Sequence, residues 1–245
     1  MTSFGSHNKE PKALLFDVFG TVVDWRSSAV NELRSYGKSR GIDANWEAFA
    51  DDWRGLYQPS MEAVRNGTRG FAILDDLHRE SLRTLINKYE LPRPSEREEE
   101  HLVTIWHRLK PWPDVIEGLY RLKKQYIIGT LSNGNIGLMT RLAKHSGLPW
   151  DSILGAEIAG DYKPQPAVYR ASAKALNLDE SECMLVAAHN DDLAAAANVG
   201  FQTAFVSRPV EYGANQVRDK HATQSWDIVT DSFSGLADLL NCSRY

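Results

Sequence analysis

The stretch Lys12-Ala-Leu-Leu-Phe-Asp-Val-Phe19, followed directly by Gly20-Thr21, decides the fold of this chain. It is short and nearly continuously apolar, which is typical of a strand that is buried on both faces of a sheet. Its one acidic residue, Asp17, stands where the strand is expected to stop. A charge in an apolar strand is costly unless it is used, and open parallel sheets bind ligands beyond the carboxyl ends of their strands. Asp17 is therefore the first candidate functional residue.

The second half of the chain alternates between strand-like and helix-like stretches. Strands are predicted over residues 126–131, 183–188 and 201–206, a further short strand over 152–158, and helices between them. Strands that alternate with helices of this length are joined by right-handed crossovers and form a parallel sheet. We therefore expect an α/β fold with a doubly wound, Rossmann-type parallel-sheet core.

Between the first predicted strand and the alternating second half of the chain, the apolar residues show only helical spacing. Helices are predicted over 28–36, 45–57, 71–89 and 96–109, the last with Ser95 as its N-cap. We expect an all-helical cap domain over residues 26–112, inserted into an α/β core domain that takes residues 11–25 and 113–245. Residues 1–10 are polar and are predicted to be a flexible N-terminus.

Composition excludes several classes of protein. The 245 residues carry 28 Lys and Arg against 32 Asp and Glu, a net charge of −4, so there is no basic footprint for nucleic acid or for anionic lipid. No apolar run approaches the roughly 18 residues that cross a bilayer. Cys183 and Cys242 are the only cysteines, so we expect two free thiols, Cys183 in the core, and a soluble protein of the reducing cytoplasm. Glycine-rich nucleotide-binding motifs, a serine-hydrolase elbow and zinc-ligand spacing are all absent from the sequence.

Polar residues follow the predicted strands at four places along the chain. They are Asp17-Val-Phe-Gly-Thr21, Ser132-Asn-Gly134, Lys163-Pro164 and His189-Asn-Asp-Asp192. Because the strands of a parallel sheet point the same way, these segments are expected to meet at one rim of the sheet.

The chemistry of these residue types suggests a covalent mechanism. Asp17 could act as a nucleophile and form an ester, while the ammonium group of Lys163 keeps its carboxylate ionised. Ser132 and Asn133 offer hydrogen-bond donors to an anionic group of the substrate. Asp192 could position and deprotonate the water molecule that opens the ester.

This order of motifs resembles the haloacid dehalogenase superfamily and, within it, the type II (S)-2-haloacid dehalogenases. The resemblance spans about residues 14–240 and rests on three segments: Asp17-Val-Phe-Gly-Thr-Val-Val-Asp24, Leu131-Ser-Asn-Gly134 and Tyr162-Lys-Pro-x-x-x-Val-Tyr169. It implies hydrolysis of small (S)-2-haloalkanoic acids to (R)-2-hydroxy acids through an ester on Asp17, with no metal or organic cofactor. Whether the substrate range extends to haloacetates such as fluoroacetate is left open by the sequence. Since such dehalogenases commonly dimerise, it also implies a homodimer.

The resemblance assigns roles to further residues. Arg54 and Asn133 would receive the halide, and Phe71 would pack on the substrate. Thr21 and Ser132 would hydrogen-bond the nucleophile and the substrate carboxylate. Tyr169 would lie close to Lys163, which balances the charge of the site.

Phe19 is the position that discriminates best between the candidate functions. Phosphatases of this pattern have a second aspartate two residues after the nucleophile, which protonates the leaving alcohol. Phe19 stands there and cannot donate a proton, whereas a halide needs none. His189 stands where the dehalogenases have an asparagine, and we expect it to line the site. Asp191 competes with Asp192 for the role of the second carboxylate.

Other functions stay open on the sequence alone. The same fold could carry a phosphatase or an enzyme that opens a strained 2-carboxy heterocycle. A binding protein for small acids, without catalysis, is the alternative from another class.

Overall fold

The structure is a computed structural model and describes residues 10–243. The predicted flexible N-terminus, apart from Glu10, lies outside the described residues. The strands are β1 (Ala13–Phe16), β2 (Val23–Asp24), β3 (Lys110–Pro111), β4 (Ile127–Thr130), β5 (Cys183–Ala187), β6 (Gln202–Val206) and β7 (Ile228–Thr230). The α-helices are α1 (Trp25–Arg40), α2 (Trp46–Gly55), α3 (Tyr57–Arg65), α4 (Leu74–Lys88), α5 (Glu96–Val103), α6 (Val115–Lys123), α7 (Ile136–Ser146), α8 (Pro166–Ala175), α9 (Asn190–Asn198) and α10 (Phe233–Leu239).

The central sheet has five strands in the order β4-β1-β5-β6-β7, and every pair is parallel. The strand β1 lies between β4 and β5, so the chain winds in opposite directions from it. Ligands of doubly wound folds bind outside the carboxyl ends of the strands at such a switch point. The predicted doubly wound parallel sheet is confirmed, and Asp17 follows directly after β1 at its switch point.

Both faces of the sheet are covered, as the apolar sequence of β1 predicts. Alternate residues of β1 enter different hydrophobic clusters: Leu14 and Phe16 pack with residues of α6, α7 and α10, whereas Ala13 and Leu15 pack with residues of α8 and α9. All four β1 side chains are completely buried. This two-sided packing holds the end of β1, and with it Asp17, in a fixed position.

Residues 25–109, between β2 and β3, contain helices and no strand. The short antiparallel pair of β2 with β3 brings the two ends of this helical segment together. Ser95 is the N-cap of α5, as predicted, and forms a reciprocal capping box with Glu98. The division of the chain into a core domain and a cap domain stays a prediction.

The predicted strand over 152–158 is wrong. Only an isolated bridge joins Gly129 to Ser152, and a 3-10 helix follows over Ala156–Ile158. The hydroxyl of Thr130 donates to the Leu154 carbonyl (3.0 Å) and accepts from its amide (2.9 Å), so a side chain satisfies the groups that a strand ladder would use. Periodicity in the sequence does not reveal such a bond.

The helix predicted over 45–57 ends at Gly55, and α3 begins after a break at Leu56. The strand β7 and the helix α10 follow an irregular connection and were not predicted. Across residues 10–243, no helix is long and apolar enough to cross a membrane.

Candidate active site

A cavity of about 790 Å³ opens beyond the carboxyl end of β1. Asp17 and Phe19 line it from the sheet, and Arg54 and Tyr57 line it from α2 and α3. The site therefore combines side chains from the parallel-sheet core and from the helical segment.

The buried carboxylate of Asp17 accepts hydrogen bonds from three side chains. Lys163 Nζ lies 2.9 Å from Oδ1, while Thr21 Oγ1 (2.7 Å) and His189 Nδ1 (3.1 Å) lie beside Oδ2. Burial raises the pKa of Asp17, but the charge of Lys163 and the bonds from His189 and Thr21 outweigh it, so the pKa lies well below its usual range. Asp17 is thus held as an anion, the form that a nucleophile requires.

Lys163 links two carboxylates at the base of the cavity. Its Nζ lies 2.9 Å from Asp17 Oδ1 and 2.5 Å from Asp192 Oδ2, and its backbone amide donates to Asn133 Oδ1 (2.8 Å). Tyr169 donates to the other oxygen of Asp192 (2.6 Å). Although burial lowers the pKa of Lys163, the charges of Asp17 and Asp192 raise it above its usual range.

The carboxylate of Asp192 differs from that of Asp17 in its proton affinity. Burial raises the pKa of Asp192, and the charge of Asp17 adds to that rise, against the opposing effects of Lys163 and Tyr169. The two carboxylates therefore share one lysine while their pKa values shift in opposite directions, which suits one of them to be a nucleophile and the other a base.

Glu211 is a site residue that the sequence analysis missed. It is completely buried, and its Oε2 lies 2.9 Å from Nε2 of His189, whose Nδ1 faces Asp17. Trp25 Nε1 donates to its other oxygen (3.0 Å). Burial lowers the pKa of His189, but the charges and hydrogen bonds of Glu211 and Asp17 raise it well above the usual value. The imidazole is therefore held as a cation between two carboxylates.

The glycine at position 20 is required by Glu211, but this requirement becomes apparent only in the structure. Gly20 has a φ of +92°, and a Cβ atom at this position would collide with the Glu211 carboxylate. Glu211 lies on the irregular connection between β6 and β7, where neither periodicity nor a motif singles out a residue.

Arg54 reaches the cavity from the end of α2. Its guanidinium carbon lies 4.2 Å from the ring centroid of Tyr57 and 5.4 Å from that of Trp25. Its Nη1 is buried and has no hydrogen-bond partner within residues 10–243. A buried unpaired donor is costly, so this atom is available to an anionic ligand.

The family model of haloacid dehalogenase-like hydrolases matches residues 11–200. The chain belongs to this family. It is 30% identical over 207 residues to (S)-2-haloacid dehalogenase 4A of Burkholderia cepacia, a match that covers 82% of this chain and 86% of that protein. Over 201 residues it is 29% identical to an (S)-2-haloacid dehalogenase of Xanthobacter autotrophicus, covering 80% and 75% of the two chains.

Two solved structures resemble this hydrolase throughout. A defluorinating L-2-haloacid dehalogenase is 45% identical, with a TM-score of 0.93 and coverage of 94% of this chain and 95% of that chain. A second L-2-haloacid dehalogenase is 43% identical, with a TM-score of 0.92 and coverage of 95% and 100%. Within its family, the hydrolase groups with the (S)-2-haloacid dehalogenases.

Most of the predicted site residues of the hydrolase come together. The residues that line the cavity or bond directly to a residue that does are Asp17, Phe19, Thr21, Arg54, Asn133, Lys163, Tyr169, His189 and Asp192. Their juxtaposition agrees with the expected meeting of strand ends at one rim, while their catalytic roles stay predictions.

The substrate-binding roles of Ser132 and Phe71 stay predictions. Neither is among the cavity-lining residues between positions 10 and 243. The Ser132 hydroxyl is buried and accepts a hydrogen bond from the amide of Gly134 (3.1 Å), so it braces its own loop. The ring of Phe71 packs on Tyr162, 5.6 Å between centroids, and remains 37% exposed.

No group of three or more His, Cys, Asp or Glu side chains within the described part of the hydrolase is arranged to hold a metal ion. The absence of a metal and of an organic cofactor from the reaction stays a prediction.

The ion pair between His189 and Glu211 predicts how the stability of the hydrolase depends on pH. A raised histidine pKa stabilises the fold fully below the unfolded value of about 6.5, and this contribution is lost as the pH rises through the folded pKa. Glu211→Gln removes the carboxylate that raises the pKa of His189. We expect it to lower the free energy of unfolding by about 3 kcal/mol near pH 6.5 and by less at alkaline pH.

Urea denaturation between pH 6 and pH 10 measures this difference. Glu62→Gln, which removes an exposed carboxylate paired with Arg65, is the control and should follow the wild-type curve at every pH. A constant offset between wild type and Glu211→Gln across this range would contradict the expectation.

Proposed function

We propose that this hydrolase releases halide from small (S)-2-haloalkanoic acids and forms (R)-2-hydroxy acids through an ester intermediate on Asp17. The observation that carries the proposal is Phe19, whose ring lines the cavity two residues after the ionised Asp17 and has no proton to donate. An alcohol must be protonated as it leaves, whereas a halide departs as a stable anion. The named activity of the similar (S)-2-haloacid dehalogenases supports the same substrate class.

In the first step, a carboxylate oxygen of Asp17 attacks C2 of the substrate from the side opposite the halogen. The new O–C2 bond forms as the carbon–halogen bond breaks, and the halide leaves with the bonding electron pair, so C2 is inverted. We assign the departing halide to Arg54, which has a buried unpaired Nη1, and to Asn133, which lines the cavity beside Asp17.

In the second step, water attacks the ester carbonyl carbon of Asp17. The bond between this carbon and the ester oxygen attached to C2 breaks, and that oxygen, which came from Asp17, takes the proton that Asp192 has accepted. The 2-hydroxy acid leaves, the second proton of the water goes to solvent, and the Asp17 carboxylate keeps one oxygen from water. Asp192 accepts the proton of the water, a role that its raised pKa favours. Esterification also removes the charge of Asp17, which leaves Glu211 as the carboxylate that holds His189.

The proposal includes haloacetates, fluoroacetate among them. The 45% identical structure described above is that of a defluorinating enzyme, which supports this range. The predicted homodimer and cytoplasmic location are part of the same proposal, and the two buried free cysteines are consistent with a reducing compartment.

The competition between Asp191 and Asp192 has a direct test. Asp192 bonds to Lys163 and Tyr169, whereas the exposed Asp191 borders the cavity and accepts a hydrogen bond from the backbone amide of Asp192. We expect Asp192→Asn to lower the rate of halide release roughly 100-fold and Asp191→Asn to leave it near wild type. The kcat for chloride release from (S)-2-chloropropionate measures both, and the reverse order of effects would make Asp191 the second carboxylate.

The experiment that tests the proposed function is halide release from (S)- and (R)-2-chloropropionate and from fluoroacetate, with EDTA present. We expect the (S) enantiomer to yield chloride and (R)-lactate, and the (R) enantiomer to yield neither. Hydrolysis of an aryl phosphate that depends on Mg²⁺ would favour a phosphatase. Stabilisation by 2-chloropropionate without turnover would favour a binding protein.

A further inference from the structure

The Arg54 side chain is unusual among the charged groups of the cavity because it makes no hydrogen bond or ion pair to any residue within 10–243. Lys163 and His189, two buried cations of the same cavity, each contact two carboxylates. Arginine is the side chain best suited to planar ion pairs, so its isolation beside the carboxylates of Asp17 and Glu211 needs a physical cause.

The aromatic rings around Arg54 supply that cause. Tyr57 is the first residue of α3, which follows α2 after the single intervening residue Leu56. The Tyr57 ring centroid lies 4.2 Å from the guanidinium carbon of Arg54. The ring centroid of Trp25 lies 5.4 Å from the same carbon. A guanidinium group over an aromatic face is attracted by the ring, most strongly where water is excluded. The two rings therefore hold the cation while leaving its Nη1 free of protein partners.

Both rings are themselves fixed. Trp25 is completely buried, and its Nε1 donates to Glu211. Tyr57 meets Phe19 edge to face, 6.4 Å between centroids, and packs on the His78 ring at 6.2 Å. Trp25 thus donates to the Glu211 carboxylate, with which Arg54 could otherwise form an ion pair. Tyr57 contacts the ring of Phe19, two residues after Asp17.

We propose that Tyr57, together with Trp25, positions the Arg54 guanidinium and determines which halide the hydrolase releases. This inference rests on the proposed function. Without the Tyr57 ring, the flexible Arg54 side chain can turn towards the carboxylates of Asp17 and Glu211, which lowers the reactivity of the nucleophile and removes the donor for the leaving anion. Fluoride depends most on that donor, because it is the most basic halide and leaves through the strongest carbon–halogen bond.

The test compares Tyr57→Phe, which keeps the ring, with Tyr57→Leu, which removes it. Release of fluoride from fluoroacetate and of bromide from bromoacetate is measured in single-turnover experiments. We expect Tyr57→Leu to lower the ratio of fluoride release to bromide release by roughly 30-fold, which corresponds to the loss of one buried cation–π contact. Tyr57→Phe should keep the wild-type ratio of the two rates. Tyr120→Leu, at an exposed ring of α6, is the matched control and should also keep the ratio.

A second measurement needs no turnover. Bromide, titrated at constant ionic strength, should raise the melting temperature of wild type and of Tyr57→Phe, and should do so much less for Tyr57→Leu. Equal loss of fluoride and bromide release in Tyr57→Leu, or equal stabilisation of all variants by bromide, would overturn the positioning role. A wild type that releases no halide would instead overturn the proposed function, and the bromide titration would still test whether Tyr57 positions Arg54.

Discussion

Asp17→Asn is expected to abolish halide release, with a loss of at least about 10⁴-fold in kcat, because the amide is a far poorer nucleophile than a carboxylate. The substitution keeps the shape of the side chain and its place after β1. The prediction rests on the three donors that hold the Asp17 carboxylate ionised, which are Lys163, Thr21 and His189. Halide release from (S)-2-chloropropionate measures the effect.

The matched control is Asp51→Asn. Asp51 also lines the cavity, but its carboxylate pairs with Arg26 at the surface, so its loss should leave halide release close to wild type. A single turnover in H₂¹⁸O adds a direct test of the ester, since one labelled oxygen should enter Asp17 and none should enter the product. Label in the hydroxy acid instead would show that water attacks C2 directly.

Lys163→Met is expected to lower both stability and activity. Removal of the ammonium group leaves the carboxylates of Asp17 and Asp192 buried without their shared cation, so we expect a loss of about 3–5 kcal/mol in the free energy of unfolding. The same loss of charge raises the pKa of Asp17, so a larger fraction of the nucleophile is protonated at neutral pH. We expect halide release to fall by about 100-fold or more at pH 7 and to recover partly as the pH rises.

Lys88→Met provides the comparison for this variant. Lys88 also forms an ion pair, with Asp52 at 2.6 Å, but its side chain is 59% exposed, and such pairs contribute about 1 kcal/mol or less. Urea denaturation and a pH profile of kcat measure the two variants side by side. Lys163→Met with wild-type stability and an unchanged pH profile would show that Lys163 does not control the ionisation of Asp17.

The parts of the site that follow strand ends were predictable because the geometry of a parallel sheet relates them. Asp17 and Asp192 are separated widely in the sequence, yet both belong to segments that directly follow the carboxyl ends of core strands, whereas Lys163 follows the stretch over 152–158 that forms no strand. Short apolar strands in alternation with helices were enough to place them at one rim. In the structure, Lys163 Nζ donates a hydrogen bond to each of these two carboxylates.

The features that could not be predicted from the sequence depend on particular side-chain contacts rather than on the geometry of the sheet. The region after Ser152 has the composition of a strand, but Thr130 satisfies its backbone. Glu211 lies on an irregular connection, and only the packing of Gly20 against it marks its importance.

The contact between Gly20 and Glu211 also limits how this group of buried residues can be transferred to another protein. Transfer of the His189 imidazole to a homologous scaffold also requires Glu211, whose carboxylate balances the charge of the imidazole. It requires a glycine at position 20 as well, because a Cβ atom there would collide with the Glu211 carboxylate. Two of these residues, His189 and Glu211, are 22 positions apart, whereas Gly20 precedes His189 by 169 positions. Exchange of the imidazole alone would place an unbalanced cation in a buried pocket, whereas exchange of all three together preserves the neutrality of the graft.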